Sequence, residues 1–282
     1  MTIPGPADLP GFPAITLGTM AIAPEQTVAA VHQAIELGYR SFDTSPIYGN
    51  EENVGEAIRT ASIDRNELFV TTKLWNSCHG LDEALHAFDR TQQRLGLEVV
   101  DLYLIHWPVP TLGRYIETWR AMVRLKNDGR VRAIGVSNFL PEHLDQIVDA
   151  TGEVPCVNQI ECHPTFQQTT LREYHQAMGI VTQAWSSLGH GTDLTDPVVQ
   201  GIARERGASP AQVILSWHLH QGVLPVVKAS SPGHMAENLD ARTINLNQHE
   251  ITQIASLERN DSCFGVDPRT FVAPEGLEHF HP

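Results

Sequence analysis

Four residues of this sequence form a proton-transfer set: Asp43, Tyr48, Lys73 and His106. A phenol ordinarily titrates near about 10, too high to give up a proton efficiently at neutral pH. An ammonium beside it stabilises the phenolate. At ~4 Å and an effective dielectric of ~20 the attraction is roughly 4 kcal/mol before desolvation is subtracted. Pairing with Lys73 therefore predicts a lowered Tyr48 pKa. The lysine must stay charged in a partly buried place, which an aspartate partner favours, and a neutral imidazole can orient a substrate carbonyl by donating a hydrogen bond. The set reads as proton donor (Tyr48), tuning cation (Lys73), countercharge (Asp43) and orienting group (His106). In "VDLYLIHWP", Leu102, Leu104 and Ile105 read as a strand buried on both faces, yet it finishes on His106, Trp107 and Pro108.

Elements must bring such residues together. Short β-rich runs alternate with helical patterns: "AITLG" at 14–18, "YRSFD" at 39–43, "LFVTTK" at 68–73, "VDLYLIH" at 100–106, "VRAIGVS" at 131–137, "CVNQIE" at 156–161, "IVTQAW" at 180–185 and "VLPVVK" at 223–228. Between the first two, Val28, Val31 and Ile35 follow helical spacing, with Gly38 at the expected C-cap. "SPAQVILSWHL" opens with a Ser209 N-cap and Pro210 in the first turn. Eight strands, seven intervening helical segments and a last helix near 248–257 fit an α/β fold of the closed (β/α)8 TIM-barrel kind. An open doubly wound sheet is the alternative, but "TLGTMAIAP" lacks the glycine fingerprint expected after its first strand. No composition break marks a second domain, so residues 1–282 read as one barrel. In barrels the chemistry sits at the carboxyl ends of the strands. Here those ends carry Asp43, Lys73, His106, Ser137 with Asn138, Asn158 with Gln159 and Glu161, Trp185, and Lys228. Any one of them could be a solvated turn residue; together on one rim they read as a site.

A length of 282 residues suits a single barrel, and 41% hydrophobic with 18% charged residues is a globular composition. The net charge of −14 argues against nucleic acid or an anionic membrane as principal partner. The four cysteines form no Cys-x-x-Cys pair, which favours a reducing compartment. The opening "MTIPGPADLPGFP" has no signal-peptide pattern, and no apolar run approaches the ~18 residues of a membrane helix. A cytoplasmic monomer acting on a small molecule is expected. The fourteen histidines include no His-x-x-x-His motif, His218 and His220 do not share a helix face, and the terminal "HFHP" would bind metal only adventitiously. No functional metal site is expected.

The blocks "SFDTSPIYGNEENVGEAI", "LFVTTKLWN", "VDLYLIHWP", "GVSNF" and "VNQIECHP" resemble the signature blocks of the aldo-keto reductases, and "VVKASSPGHMAENL" resembles their cofactor-binding segment. The likeness runs from about residue 14 to 258, keeps order and spacing across all eight strands, and is nearest to the bacterial 2,5-diketo-gluconate and methylglyoxal reductases. It implies metal-free, NADPH-dependent reduction of aldehydes and ketones, with Tyr48 as general acid, Lys73 and Asp43 tuning it and His106 orienting the carbonyl. Ser137, Asn138 and Gln159 would hold the nicotinamide carboxamide, and Trp185 would stack on its ring. Gly18, Thr19, Asp43, Ser186, Leu188, Lys228, Ser230, His234, Glu237 and Asn238 would complete the cofactor contacts. Met20, Tyr48, Trp75, His106 and Trp107 would face the substrate. For Trp75, Trp107 and Gln159, plain packing is the competing account.

The sequence departs from the family pattern in three places. Relatives usually read Lys-Ser after the last strand and then an arginine for the adenosine 2′-phosphate; here Ala229 follows Lys228, and His234 stands at the arginine position. Arginine offers a fixed charged fork that histidine lacks, so NADPH is expected to keep a smaller margin over NADH, with some NADH use. "PGPADLPGFPAI" replaces the usual opening hairpin and predicts an irregular plug at the barrel floor. The tail, 261–282, is expected over the mouth, with Phe264 or Phe271 touching substrate, while short loops after strands four and seven suggest an open pocket. Two rival functions remain: a non-catalytic NADPH-binding regulatory or scaffold protein, and a barrel aldolase or isomerase using Lys73 as a Schiff-base nucleophile. Asp43 argues against the second, because a countercharge holds lysine protonated.

Overall fold

Each β-rich run forms a strand in the computed structural model, which describes residues 12–272. The strands are β1 (Thr16–Gly18), β2 (Ser41–Asp43), β3 (Phe69–Leu74), β4 (Val100–Ile105), β5 (Val131–Ser137), β6 (Val157–Glu161), β7 (Val181–Trp185) and β8 (Leu224–Val227). All pair in parallel in sequence order, and β8 returns to β1 to close the barrel. The register sets the carboxyl ends side by side: Gly18 lies opposite Asp43, Leu74 opposite Ile105, Ser137 opposite Gln159 and Glu161 opposite Trp185.

Parallel neighbours need crossovers, and helices supply them. They are α1 (Pro24–Leu37), α2 (Glu51–Arg59), α3 (Leu81–Leu95), α4 (Tyr115–Asn127), α5 (Pro141–Thr151), α6 (Thr169–Met178), α7 (Pro197–Arg206), α8 (Pro210–His220), α9 (Pro232–Asp240) and α10 (Gln248–Ala255). Gly38 ends α1 at φ 104, its N–H reaching the carbonyls of Ala34 and Ile35. Ser209 and Gln212 form a capping box at the start of α8.

The structure differs from the sequence expectation between β7 and β8, where two helices stand instead of one. Asp196 caps α7 by accepting the Val198 N–H, Pro197 fills its first turn, and Gly207 stops it at φ 61. Its buried Val199, Ile202 and Ala203 pack with Val213, Ile214 and Trp217 of α8 and Ile254 of α10, in a cluster separate from the main core.

That main core lies between strands and helices, where Phe42, Val70, Tyr103, Ile134 and Val136 meet Phe88, Trp119 and Leu125. A smaller cluster fills the barrel interior with Leu102, Leu104, Ala133, Val157 and Leu224. Phe12 joins it, its ring 4.6 Å from that of Phe69. The expected irregular plug lies, up to Gly11, outside the described residues. Among the described residues no helix is long and apolar enough to cross a membrane.

Candidate active site

Lys73 sits near the mouth end of β3, and its side chain reaches across to the end of β2. Its Nζ donates to Asp43 Oδ1 at 2.5 Å, to the Thr44 carbonyl at 3.2 Å and to the Tyr48 hydroxyl at 3.3 Å. A single 3-10 turn, Pro46–Tyr48, delivers the phenol and ends at Gly49, whose φ of 69 a side chain would disfavour. His106 follows β4 directly, its backbone N–H bonded to the Leu74 carbonyl at 3.1 Å. The imidazole stands edge-on to Trp75 at 5.2 Å and to Tyr48 at 6.2 Å, and its Nδ1 lies 3.3 Å from Ser45 Oγ.

Burial and then the Lys73 charge hold the His106 pKa well below its ordinary value, so the ring is neutral. Burial works against the Lys73 ammonium, but the charges of Asp43 and Tyr48 outweigh it and raise the lysine pKa. For Tyr48 the direction is opposite to the sequence expectation. Burial raises the phenol pKa by more than Lys73 lowers it, and Asp43 adds to the rise. The ammonium is already largely neutralised by the carboxylate 2.5 Å away, so a phenolate would face a nearly neutral pair. Lys73 therefore limits the rise instead of producing a net fall, and Tyr48 holds its proton.

A second polar group lines the opposite side. Ser137 Oγ donates to the Gln159 carbonyl at 2.7 Å, Asn138 Nδ2 donates to the His106 carbonyl at 3.0 Å, and Trp185 Nε1 donates to Asn138 Oδ1 at 2.8 Å. Asn138 adopts φ 63, a left-handed conformation that asparagine tolerates better than most residues. Gln159 Nε2 donates to Asp43 Oδ2 at 2.9 Å and to Gln183 Oε1 at 2.7 Å. Its two acceptors fix the amide, and among the described residues no hydrogen bond takes Gln159 Oε1. One carboxylate, Asp43, thus joins the proton set to this polar wall.

These groups share a cavity of about 730 Å³. Of the residues singled out in the sequence, Gly18, Met20, Asp43, Tyr48, Trp75, His106, Trp107, Ser137, Asn138, Gln159, Trp185, Ser186, Leu188 and Lys228 line it. Lys73 is fully buried behind Tyr48. Thr19 is also behind the wall, its hydroxyl donating to the Asp43 carbonyl at 3.0 Å. Ser230, His234, Glu237 and Asn238 are not part of the lining. Ser230 precedes the Ser231 cap of α9 and the other three lie within the helix; Ser230 and His234 are exposed, Asn238 is buried and Glu237 accepts a hydrogen bond from Ser209.

Ser45, Gln183 and His190 belong to this constellation without having been singled out. Gln183 carried a signal, a long polar side chain inside the apolar "IVTQAW" strand. His190, whose ring packs 4.7 Å from Phe264, carried none. The tail supplies the outer wall. Phe271 stacks on Trp107 at 4.1 Å, and Phe264 meets Trp185 edge-on at 5.1 Å. Glu161 anchors the tail by accepting the Ser262 hydroxyl and the Cys263 N–H, both at 2.7 Å. Residues 273–282 of the expected tail lie outside the described residues. Beside the anchor, burial opposes the His163 charge, but hydrogen bonds and attraction from Asp193 and Glu161 raise its pKa to about 9.

The aldo/keto reductase family model matches residues 14–259. The chain belongs to this family. It is 47% identical over 260 residues to an aldo-keto reductase from Mycolicibacterium smegmatis, covering 92% of this chain and 94% of that one. It is 45% identical over 271 residues to morphine 6-dehydrogenase from Pseudomonas putida, with 92% and 91% covered. To methylglyoxal reductase DkgA from Escherichia coli it is 39% identical over 262 residues, with 92% and 94% covered. The crystal structure of Gox0644 in its apo form superposes with a TM-score of 0.92 at 45% identity, covering 96% of this chain and 99% of that one. A Gox0644 variant in complex with NADPH gives a TM-score of 0.92 at 44% identity over the same shares. This aldo-keto reductase thus has the closed eight-stranded barrel of its family.

Proposed function

We propose that this aldo-keto reductase reduces aldehydes and ketones, including small dicarbonyls, keto-sugars and aromatic aldehydes, to alcohols with NADPH, and that Tyr48 supplies the proton. The observation that carries this is the Asp43–Lys73–Tyr48 chain standing beside a neutral His106 in one cavity. The residues present fit the cofactor. Among the described residues Gln159 Oε1 accepts no hydrogen bond, Trp185 offers a half-buried ring, and Lys228 brings a cation to the cavity lining. Beyond it the exposed first turn of α9, capped by Ser231, favours an anion.

When bound, reduced nicotinamide supplies a hydride to the carbonyl carbon. The chain's own residues do the rest. His106 donates a hydrogen bond that aims the carbonyl oxygen, and the Tyr48 hydroxyl releases its proton to that oxygen as negative charge develops there. Lys73 stabilises the phenolate left behind, and Asp43 keeps Lys73 charged. Trp75, Trp107 and Phe264 exclude water and give the substrate an apolar wall. Lys73 does not serve as a Schiff-base nucleophile in this reading, since Asp43 holds it protonated. We further read the protein as a cytoplasmic monomer acting on small molecules, a net charge of −14 disfavouring nucleic acid and anionic membranes as partners. His234 in place of arginine supports a NADPH preference narrower than in arginine-bearing relatives.

The test is Tyr48→Phe. Carbonyl-dependent NADPH oxidation should fall by ~10²–10⁴, while NADPH still quenches tryptophan fluorescence with nearly unchanged affinity. Retention of more than about a tenth of the rate overturns the proton-donor role. An inactive wild-type chain across methylglyoxal, keto-sugars, ketoesters and aromatic aldehydes would favour the non-catalytic alternative.

A further inference from the structure

We propose that Glu161, His163 and Cys263 form a binding site for one borderline-soft divalent cation, Zn²⁺ being the best match, which pins the C-terminal tail to the barrel rim. Glu161 ends β6, His163 follows in the next loop, and Cys263 arrives from the tail a hundred residues later. One donor atom from each lies within 4.8 Å of the other two. His163 Nε2 is 3.3 Å from Glu161 Oε1 and 3.4 Å from Cys263 Sγ. Zinc binds nitrogen and oxygen at about 2.0–2.2 Å and sulfur at about 2.3 Å, so tetrahedral angles put neighbouring donors about 3.3–3.6 Å apart. The separations around Nε2 already match such a shell.

The far side of the imidazole is arranged for ligation too. His163 Nδ1 is hydrogen-bonded to Asp193 Oδ2 at 3.0 Å, and the Thr165 hydroxyl donates to Asp193 Oδ1 at 3.0 Å. A carboxylate behind a ligating histidine fixes the ring and strengthens it as a donor, and here it leaves Nε2 facing Glu161 and Cys263. Thiolate, imidazole and carboxylate together suit Zn²⁺ over Mg²⁺ or Ca²⁺. Cys263 is exposed, which gives the ion an entry path and leaves a fourth position for water. Phe264, the next residue, packs on Trp185 and His190, so the ion would fix a ring of the pocket wall.

The test uses the full chain stripped of metal with chelator and titrated with Co²⁺, then Zn²⁺. One equivalent of Co²⁺ should produce a thiolate charge-transfer band, and Zn²⁺ should bleach it by displacement. Cys263→Ser should abolish the band. Asp193→Asn should keep it while weakening metal binding about 10–100-fold. Absence of a thiolate band at one equivalent overturns the site. So does a band that persists in Cys263→Ser, which would place the metal on another cysteine, or Zn²⁺ affinity unchanged in that variant, which would place it elsewhere in the chain. Cys263 is exposed, so the serine variant does not depend on refilling a core.

Discussion

The Ser45 hydroxyl can set which nitrogen of His106 carries the proton. The neutral ring carries one N–H, and a hydroxyl 3.3 Å from Nδ1 can donate there, leaving the proton on Nε2 for the substrate oxygen. Ser45→Ala removes one neutral hydrogen bond, worth about 0.5–1.5 kcal/mol. We expect kcat/KM for carbonyl reduction to fall about 2- to 10-fold with the NADPH Kd unchanged, and an unchanged kcat/KM would discard the role. Asp43, Lys73 and His106 are legible in the sequence because titratable groups gathered at the ends of apolar strands point to one rim, and Tyr48 follows Asp43 within one short turn. Ser45 is not legible, because a small hydroxyl in a loop is commonplace until folding sets it beside a ring sixty-one residues away. The direction of the Tyr48 shift fails for a related reason: the sequence names Lys73 as a neighbour but shows neither how tightly Asp43 holds it nor how deeply the phenol is buried.

At the scale of elements, the proposed cofactor preference turns on α9. Ser231 caps it by accepting the His234 N–H at 3.3 Å, Pro232 fills the first turn, and the His234 side chain is exposed. His234→Arg adds a charged fork at a helix start, and charge-assisted hydrogen bonds contribute about 1.5–3 kcal/mol. The ratio of kcat/KM for NADPH to that for NADH should therefore rise about 10–100-fold. Steady-state kinetics with both cofactors checks this, and an unmoved ratio means that residue 234 does not reach the 2′-phosphate. The strands were legible as β-branched runs and most helices by period. Helix α7 escaped because it does not pack on the strands: its three buried residues meet α8 and α10, so the segment lacks the strong apolar stripe of a barrel helix. Its cap, Asp196 with Pro197, and its stop, Gly207, were nevertheless written in the sequence.

For the whole molecule, buried histidines set the acid limit. His175 lies between Asn158 and Thr182 with both nitrogens hydrogen-bonded at 2.9 Å, and His218 Nε2 donates to the Ser187 carbonyl at 2.9 Å. Burial pushes His175 down to about 4, with Arg172 adding to it, and pushes His218 down to about 3 against that carbonyl bond. His79 is likewise lowered to about 4 by burial and then Arg114. Unfolded imidazoles titrate near about 6.5 and so bind protons that the native rings refuse. The stability these rings contribute is present above that value and is lost as pH falls toward the folded values, at ~1.4 kcal/mol per pH unit per ring. Urea midpoints should drop steeply between about pH 6 and 4, and a flat profile there would refute the account. Barrel closure was legible from the succession of strands. The tail over the mouth, with Phe264 or Phe271, was a sequence expectation too, but its anchor on Glu161 was not legible, since it pairs residues far apart in sequence. That anchor has a consequence for how new specificities arise. Glu161 grips a backbone N–H and a serine hydroxyl, so attachment resides in atoms other than the rings of Phe264 and Phe271. The pocket's outer wall is an exchangeable fitting on a fixed hinge pin, and selection can trade those rings while the proton machinery beneath stays untouched.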